Sequence, residues 1–235
     1  MIKQKQQQNS CPGDESGFTI IESIVALVVA AILLTAIAPV IVLSTATRVQ
    51  SRRIELATQA VRTYIDSVRT GSIEPPSEVI TLESATADAP RLLKDKAATA
   101  DTSAIEGKPD EYLIDMELPE SSSDLYCFKR NGTIAEGECT EKPFEFYIQA
   151  AQIKVTDSLA KDGYRLGIRV YRGDIDFAQD ITASDGDTKT TQTTFTGGLG
   201  SRQSPLIEMT TDIGTPETSF RALCQRLGVA DGGCD

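Results

Sequence analysis

The sequence contains no histidine and no tryptophan, and both absences restrict its function. Without histidine, the Ser-His-Asp and Cys-His arrangements of nucleophilic catalysis are not available. Without tryptophan, and with aromatic residues at 6% of the chain, no aromatic cluster marks a sugar-binding site. The glycine-rich stretch 197–201 also lacks the Gly-Lys-Ser/Thr ending of a phosphate-binding loop. We therefore expect no enzymatic activity and no cofactor.

Positive charge is also scarce. The chain has 23 Lys and Arg residues against 34 Asp and Glu residues, for a net charge of −11. The acidic residues are spread widely rather than gathered in one run. This balance argues against a nucleic-acid surface and against a polybasic membrane patch.

The chain does have one long apolar run, from Ile24 to Leu43, with Glu22 just before it. The run holds thirteen Ile, Val and Leu residues, and about 20 apolar residues is the length that spans a membrane. An acid in lipid costs roughly 2.5–3.5 kcal/mol, whereas each of these apolar residues contributes roughly −0.3 to −0.6 kcal/mol. The segment can therefore insert with Glu22 in it, but the acid still requires a partner or a role.

Three other interpretations of the run remain open. A secretory signal has a shorter apolar core and is cut after it. A plain membrane anchor explains the length and leaves Glu22 unexplained, and a buried soluble helix is seldom this apolar over this length. The positive-inside count does not help, because Lys3 and Lys5 precede the span while three arginines follow it. Those arginines are Arg48, Arg52 and Arg53.

The stretch Gly17-Phe18-Thr19-Ile20-Ile21-Glu22 resembles the class III signal of type IV pilins and pseudopilins. The resemblance implies that a prepilin peptidase cuts after Gly17 and methylates Phe18, the new amino terminus. It also implies that Glu22 pairs with the amino terminus of a neighbouring subunit during filament assembly. Such a charge-assisted contact strengthens in a dry helix bundle and fixes the axial register.

The resemblance also implies an organisation and a location. The expected fold is α+β, with a long N-terminal transmembrane and assembly helix packed on an antiparallel β-sheet head. The expected partners are the prepilin peptidase, other pilin or pseudopilin subunits, an inner-membrane assembly platform and the membrane itself. The expected location is the inner membrane, crossed once with the head outside the cytoplasm, and then a filament. The expected segments are a leader (1–17), a membrane and filament-core helix (18–43), a helix extension (44–71), a connecting region (72–111) and a disulfide-containing β-rich head (112–235).

The length and the leader are more typical of a minor pilin or pseudopilin than of a major one. The chain also resembles cyanobacterial pseudopilins linked to polysaccharide secretion and gliding motility. Two alternatives stay open, a binding module at a filament tip and an ordinary membrane-anchored extracytoplasmic domain.

Beyond Leu43 the pattern predicts that the helix continues to about residue 70. Apolar residues recur at three- and four-residue steps, and Gly71 is a typical stop. Pro39 lies inside this helix, removes one hydrogen bond and is expected to kink or loosen it. Pilin-like proteins often carry a proline at about this place. The apolar residues at three- and four-residue steps form one stripe along the helix, which consists of Ile54, Ala57, Val61, Tyr64, Ile65 and Val68.

The remaining sequence predicts a mainly β-stranded head. Strands are expected at 112–118, 125–129, 144–155 and 164–171. Asn131-Gly132 favours a two-residue hairpin turn, and with Thr133 it also fits a glycosylation sequon. A long exposed loop is expected at 185–204, and short helices at 84–93 and 217–227.

The cysteines predict disulfides outside the cytoplasm. Cys11 leaves with the leader, and the four that remain allow three connectivities. Proximity favours Cys127–Cys139 and Cys224–Cys234, and zinc is disfavoured because Cys-x-x-Cys spacing and histidine are both absent. Asp185-Gly186-Asp187 offers oxygen ligands but lacks the rest of a calcium loop, so we expect a solvated loop and no metal.

Overall fold

The computed structural model describes residues 17–82, 116–123, 125–137, 139, 144–184, 188–192 and 200–227. The chain divides into two compact units, with the boundary between Thr45 and Ala46. The long apolar helix and the mainly antiparallel sheet confirm the expected α+β, pilin-like class. In chain order the elements are α1 (Ile20–Arg69), β1 (Val79–Leu82), β2 (Tyr126–Lys129), β3 (Ile134–Glu136), β4 (Phe144–Val155), a 3-10 turn (Ala160–Asp162), β5 (Tyr164–Arg172), β6 (Ile207–Ile213) and α2 (Phe220–Leu227).

Helix α1 ends where the sequence predicts. Gly71 has a φ of 72° and its N–H donates to the Val68 carbonyl at 3.2 Å. The Ser72 N–H donates to the Ser67 carbonyl at 2.8 Å. Together these two bonds form a Schellman motif, which needs a left-handed residue that glycine adopts without strain.

The sheet has the order β3-β2-β4-β5-β6, with β1 attached to β4. Strand β5 lies along one edge of β4, so β2 and β1 share the other edge, β2 beside Phe144–Ile148 and β1 beside Gln152–Val155. All pairs are antiparallel except β1 with β4. The chain between β1 and β4 is longer than the roughly dozen residues that a parallel connection needs. The sheet is therefore antiparallel as expected, apart from the short parallel strand β1, which the sequence did not predict.

In the second unit, the apolar stripe of α1 packs against one face of the sheet, as predicted. Ala57, Tyr64 and Val61 are almost fully buried, and Ile54 is half-buried. The Tyr64 ring meets the Tyr126 ring at a centroid distance of 4.8 Å. This helix-on-sheet contact forms the main core, to which the sheet contributes Tyr126, Phe128, Phe146, Ile148, Ala150, Tyr164, Leu166, Ile168, Val170 and Ile213.

The opposite face of the sheet is covered by irregular segments. Met116 packs with Ile80 and Ile153, and Ile175 packs with Tyr147 and other side chains of that face. Residues 116–118 were expected to form a strand, but they form none, because here the chain crosses the sheet face instead of extending its edge. Residues 112–115 of that expected strand lie outside the described residues.

The β2–β3 hairpin has a three-residue loop instead of the expected two-residue turn. The Gly132 N–H donates to the Lys129 carbonyl, and the Lys129 N–H donates to the Thr133 carbonyl, both at 2.9 Å. Only Gly132, with a φ of 85°, is left-handed in this loop. A two-residue type I′ turn needs positive φ at both central residues, whereas Asn131 instead accepts from the Thr133 N–H at 3.1 Å.

The expectation of an exposed loop at 185–204 was wrong for part of the described stretch. Gln192 and Ser204 are buried, and Gln192 accepts a 2.8 Å hydrogen bond from Gln50 of α1. Gln192 also donates to the Ser204 carbonyl at 2.9 Å. Gly200 has a φ of 74°, and a Cβ there would meet Gln192 Oε1, so a side chain at this position would be strained and would displace the Gln192 amide. Residues 185–187 and 193–199 lie outside the described residues.

Two further elements, β1 and α2, differ from what the sequence predicts. Strand β1 lies inside the stretch 72–111, which was expected to be a connection without strands. Helix α2 begins later than expected, and the Ser219 hydroxyl caps it by accepting from the Ala222 N–H at 3.1 Å. The helix expected at 84–93 lies outside the described residues.

Burial of tyrosines makes the fold sensitive to alkali. Burial raises the pKa of Tyr164 and Tyr171 to about 12 from the ordinary 10.0, and raises the pKa of Tyr64, Tyr126 and Tyr147 as well. Below pH 10 both folded and unfolded chains keep these phenols neutral, so their stabilisation is fully present. Above pH 10 the unfolded chain loses protons first, and each such group lowers the free energy of unfolding by about 1.4 kcal/mol per pH unit.

We therefore expect the tyrosinate absorbance of the folded protein to rise together with unfolding between pH 10 and 12, rather than at pH 10. The six tyrosines can be followed without interference because the chain has no tryptophan. Circular dichroism on the same sample reports unfolding, and the denaturant-unfolded chain is the control. A smooth titration centred on the ordinary tyrosine pKa, with the far-ultraviolet signal unchanged, would contradict the burial.

Candidate functional site

The site begins at the expected cut junction, immediately before α1. Gly17 and Phe18 precede the helix, and the Phe18 side chain is 80% exposed. The helix starts at Ile20 because Thr19 caps it. The Thr19 hydroxyl accepts from the Glu22 N–H at 3.2 Å, and the Thr19 carbonyl accepts from the Ser23 N–H at 3.1 Å. Gly17 and Phe18, where the predicted cut falls, are therefore exposed and lie next to a preformed helix end.

Thr19 is a helix-capping residue that our sequence analysis missed. Thr19 and Glu22 have the Thr-x-x-Glu spacing of a capping box, which was readable in the sequence. The cap places Glu22 in the first helical turn, where the positive end of the helix dipole favours a carboxylate. This position reduces the cost of a negative charge near lipid.

Glu22 is exposed, and it is the only charged residue between Gly17 and Thr47. Its carboxylate makes no ion pair among the residues that the structure describes. The structure thus places Glu22 one turn from Phe18 and leaves its carboxylate accessible. That arrangement suits a contact with a cationic group of another molecule, and its role in assembly stays a prediction.

The apolar half of α1 is not covered by any residue that the structure describes. Residues 17–45 are all exposed, including Ile24, Leu33 and Val42 at 55–67%. This helix is the one element in the described residues that is long and apolar enough to cross a membrane, with a mean hydropathy of 2.9 over its most apolar window. A helix that is apolar on every side is stable only in lipid or among other apolar helices.

Pro39 lies inside this apolar half, and α1 continues through it without interruption. Because proline has no N–H, the Thr35 carbonyl loses its regular helical donor. The Thr35 hydroxyl turns to the Ile32 carbonyl at 2.9 Å. The missing bond weakens this turn of the helix, and the predicted local kink stays a prediction.

The expected Cys127–Cys139 disulfide is present, with 5.8 Å between the two Cα atoms. It joins β2 to the segment after β3, on the sheet face opposite α1, where Cys127 is 1% exposed. The expected Cys224–Cys234 bond lies outside the described residues, since Cys234 and the Cys224 side chain are not described.

No group of three metal-ligating side chains converges within the described residues. Asp185 and Asp187, weighed above as calcium ligands, lie outside them. The sequon residue Asn131 is exposed at the tip of the β2–β3 hairpin, where its side chain accepts hydrogen bonds from Thr133.

Comparison with known protein families agrees with the geometry of the N-terminus. Residues 13–38 match the family model described as a prokaryotic N-terminal methylation motif, the class III prepilin signal of type IV pilins and pseudopilins. No curated protein and no solved structure matched the chain. The motif supports a type IV pilin-like or pseudopilin-like protein, a structural rather than enzymatic class. It implies processing by prepilin peptidase, assembly with other pilins in a membrane, and a single-pass anchor.

Proposed function

We propose that this protein is a minor pilin or pseudopilin, a structural subunit of a type IV pilus-like or type II secretion-like filament. The observation that carries the proposal is the exposed apolar half of α1, headed by an accessible junction and a single carboxylate. A helix of this kind needs lipid before assembly and neighbouring helices afterwards. The methylation motif at 13–38 supports the same sequence of events.

In this proposal the prepilin peptidase cuts after Gly17 and methylates the amino group of Phe18. The apolar half of α1 lies in the inner membrane, and the second unit lies outside the cytoplasm. The Cys127–Cys139 bond supports this location of the second unit outside the cytoplasm, because disulfides persist in oxidising compartments. An inner-membrane assembly platform then moves the processed subunit into the filament.

Within the filament, Glu22 pairs with the amino terminus of a neighbouring Phe18. The proposal extends to a filament that supports polysaccharide secretion and gliding motility, on the resemblance given above. In this role the assembled filament supports secretion and motility, and no catalytic site in the head is required.

The first test is the intact mass of the membrane-extracted protein, made with and without its prepilin peptidase. We expect loss of residues 1–17 and gain of one methyl group only when the peptidase is present. A full-length or differently cut chain would mean an ordinary membrane-anchored domain. A correctly cut chain that enters no filament, but whose head binds a polymer or surface, would instead favour a tip-binding module.

A further inference from the structure

A groove of about 550 Å³ runs between β1 and the segment 117–121 on the second unit. Its apolar surface includes Val79 and Leu118, which are 48% and 44% exposed. Large apolar side chains of the second unit are this exposed at only five described positions, Val49, Val79, Leu118, Leu159 and Phe220. Two of the five therefore line one groove.

The rim of this groove is acidic. Glu78, Glu117 and Glu120 line it, and the latter two are exposed. These carboxylates belong to no group that converges on one metal ion in the described part of the chain. A rim of separated negative charges fits a surface with several separated cations better than it fits a single ion.

A buried amide fixes one wall of the groove. Gln149 of β4 is 5% exposed, and its Nε2 donates to the Glu117 carbonyl at 2.5 Å. This bond ties the segment that carries Glu117 and Glu120 to the sheet.

The same chain carries a surface of complementary character on α1. Arg48, Val49 and Arg52 lie within one helical turn, are all exposed, and form what we call the α1 arc. Val49 is 43% exposed between the two cations. Neither arginine makes an ion pair among the described residues. The α1 arc thus presents one apolar side chain flanked by positive charges. The groove presents two apolar side chains, Val79 and Leu118, flanked by negative charges.

We propose that the groove of one subunit binds the α1 arc of a second copy. Val49 then packs against Val79 and Leu118, while Arg48 and Arg52 meet the acidic rim. The inference rests on the proposed function, because it adds a contact between heads to the assembly of the apolar helices.

The contact joins two different surfaces, so it is heterologous and leaves a free groove and a free arc at the ends of any chain of copies. Heterologous contacts that do not close generate open helical filaments. Copies with a net charge of −11 repel one another, so a local match of opposite charges also selects the orientation of approach. The subunit consequently occupies consecutive positions in its filament.

Charge reversal tests the contact in the full-length chain in its host. The groove variant is Glu117→Lys with Glu120→Lys, and the arc variant is Arg48→Glu with Arg52→Glu. Each variant alone faces like charges across the contact, so we expect the amount in sheared filaments to fall about tenfold. Co-production of the two variants recreates opposite charges at every contact and should restore assembly to within about twofold of the wild type.

Matched controls carry the same change of net charge elsewhere on the second unit. Asp180→Lys with Glu217→Lys matches the groove variant, and Arg62→Glu with Arg202→Glu matches the arc variant. All four control positions are exposed. The controls should assemble like the wild type. Groove and arc variants that assemble normally, or defects that co-production does not restore, would overturn the contact.

A photo-cross-linking amino acid at position 118 identifies the occupant independently of filament yield. We expect a cross-link to peptide 48–52 of a second copy, reduced about tenfold by the arc variant. A cross-link to a different protein would overturn the second copy as the occupant. Correct processing and membrane insertion are measured on the same samples. Failure of the proposed function thus appears as an uncut wild-type chain, whereas failure of this inference leaves the wild-type chain cut and present in filaments.

Discussion

Replacing Glu22 by leucine will leave the protein processed and in the membrane but will lower its entry into filaments about 100-fold or more. The carboxylate is the only charge between Gly17 and Thr47, so no nearby side chain substitutes for it. In the proposed filament, loss of this carboxylate leaves the amino group of a neighbouring Phe18 buried among apolar helices with no partner. A buried charge that has lost its partner costs about 3–5 kcal/mol, which corresponds to this loss of assembly.

Failure to insert cannot produce that result, because leucine is better accommodated in lipid than glutamate. Loss of the helix cap cannot produce it either, since Thr19 accepts from the backbone N–H of residue 22, which every replacement keeps. Glu22→Gln should therefore fail in assembly like Glu22→Leu. Glu55→Leu is the control, because Glu55 is an exposed acid on the same helix within the second unit. Intact mass reports processing, and immunoblots of sheared filaments report entry. Normal filament entry by Glu22→Leu would refute the role of this acid.

The sequence predicted those elements whose local pattern and burial agree. Strand β4 has the expected limits because Phe144–Val155 is rich in aromatic and β-branched residues that partly alternate with polar ones. The buried stripe of α1 follows from helical spacing, and Gly71 ends the helix because a Schellman motif needs its left-handed backbone. At the N-terminus, the junction and Glu22 were readable as a motif without any tertiary information.

Other elements depend on partners distant in the chain. Strand β1 is only four residues long and exists because it pairs with the far half of β4. The groove forms only after this pairing brings Glu78 beside Glu117, so no local window contains it. Strand β6 was also not among the expected strands, but its local sequence does indicate one. Ile207-Glu208-Met209 alternates between apolar and polar residues, so this strand was readable without a distant partner.

Arg169 shows most clearly where a sequence pattern misleads. In strand β5 it alternates with Ile168 and Val170, which is typical of a strand with one solvated face. The second face is covered by the segment at Met116 and by the loop after β5, so Arg169 is 1% exposed. Whether a face is covered depends on where irregular segments lie, and such segments have no periodicity to read.

Replacing Arg169 by methionine will strongly destabilise the second unit. Arg169 Nε donates to Glu208 Oε1 of the neighbouring strand at 3.2 Å, and both side chains are 2% exposed. Its Nη1 also donates to the Met116 carbonyl at 2.8 Å, so one guanidinium ties β5, β6 and the covering segment together. Removing it leaves the Glu208 carboxylate buried without its cation. We expect a loss of about 3–5 kcal/mol, which lowers the Tm of a unit of this size by about 10 °C in a thermal melt.

Arg165→Met provides the matched comparison, because Arg165 pairs with Asp212 across the same two strands on the same face. Asp212 keeps 32% of its side chain exposed, so water replaces the lost partner and the cost is about 1 kcal/mol. The double change Arg169→Met with Glu208→Leu removes both buried charges and should recover most of the loss, since apolar replacements of a buried pair are often neutral. If Arg169→Met and Arg165→Met melt alike, burial is not what makes the Arg169 pair important. If the double change melts as low as Arg169→Met alone, the guanidinium acts mainly by holding Met116, and the unpaired carboxylate is not the cause.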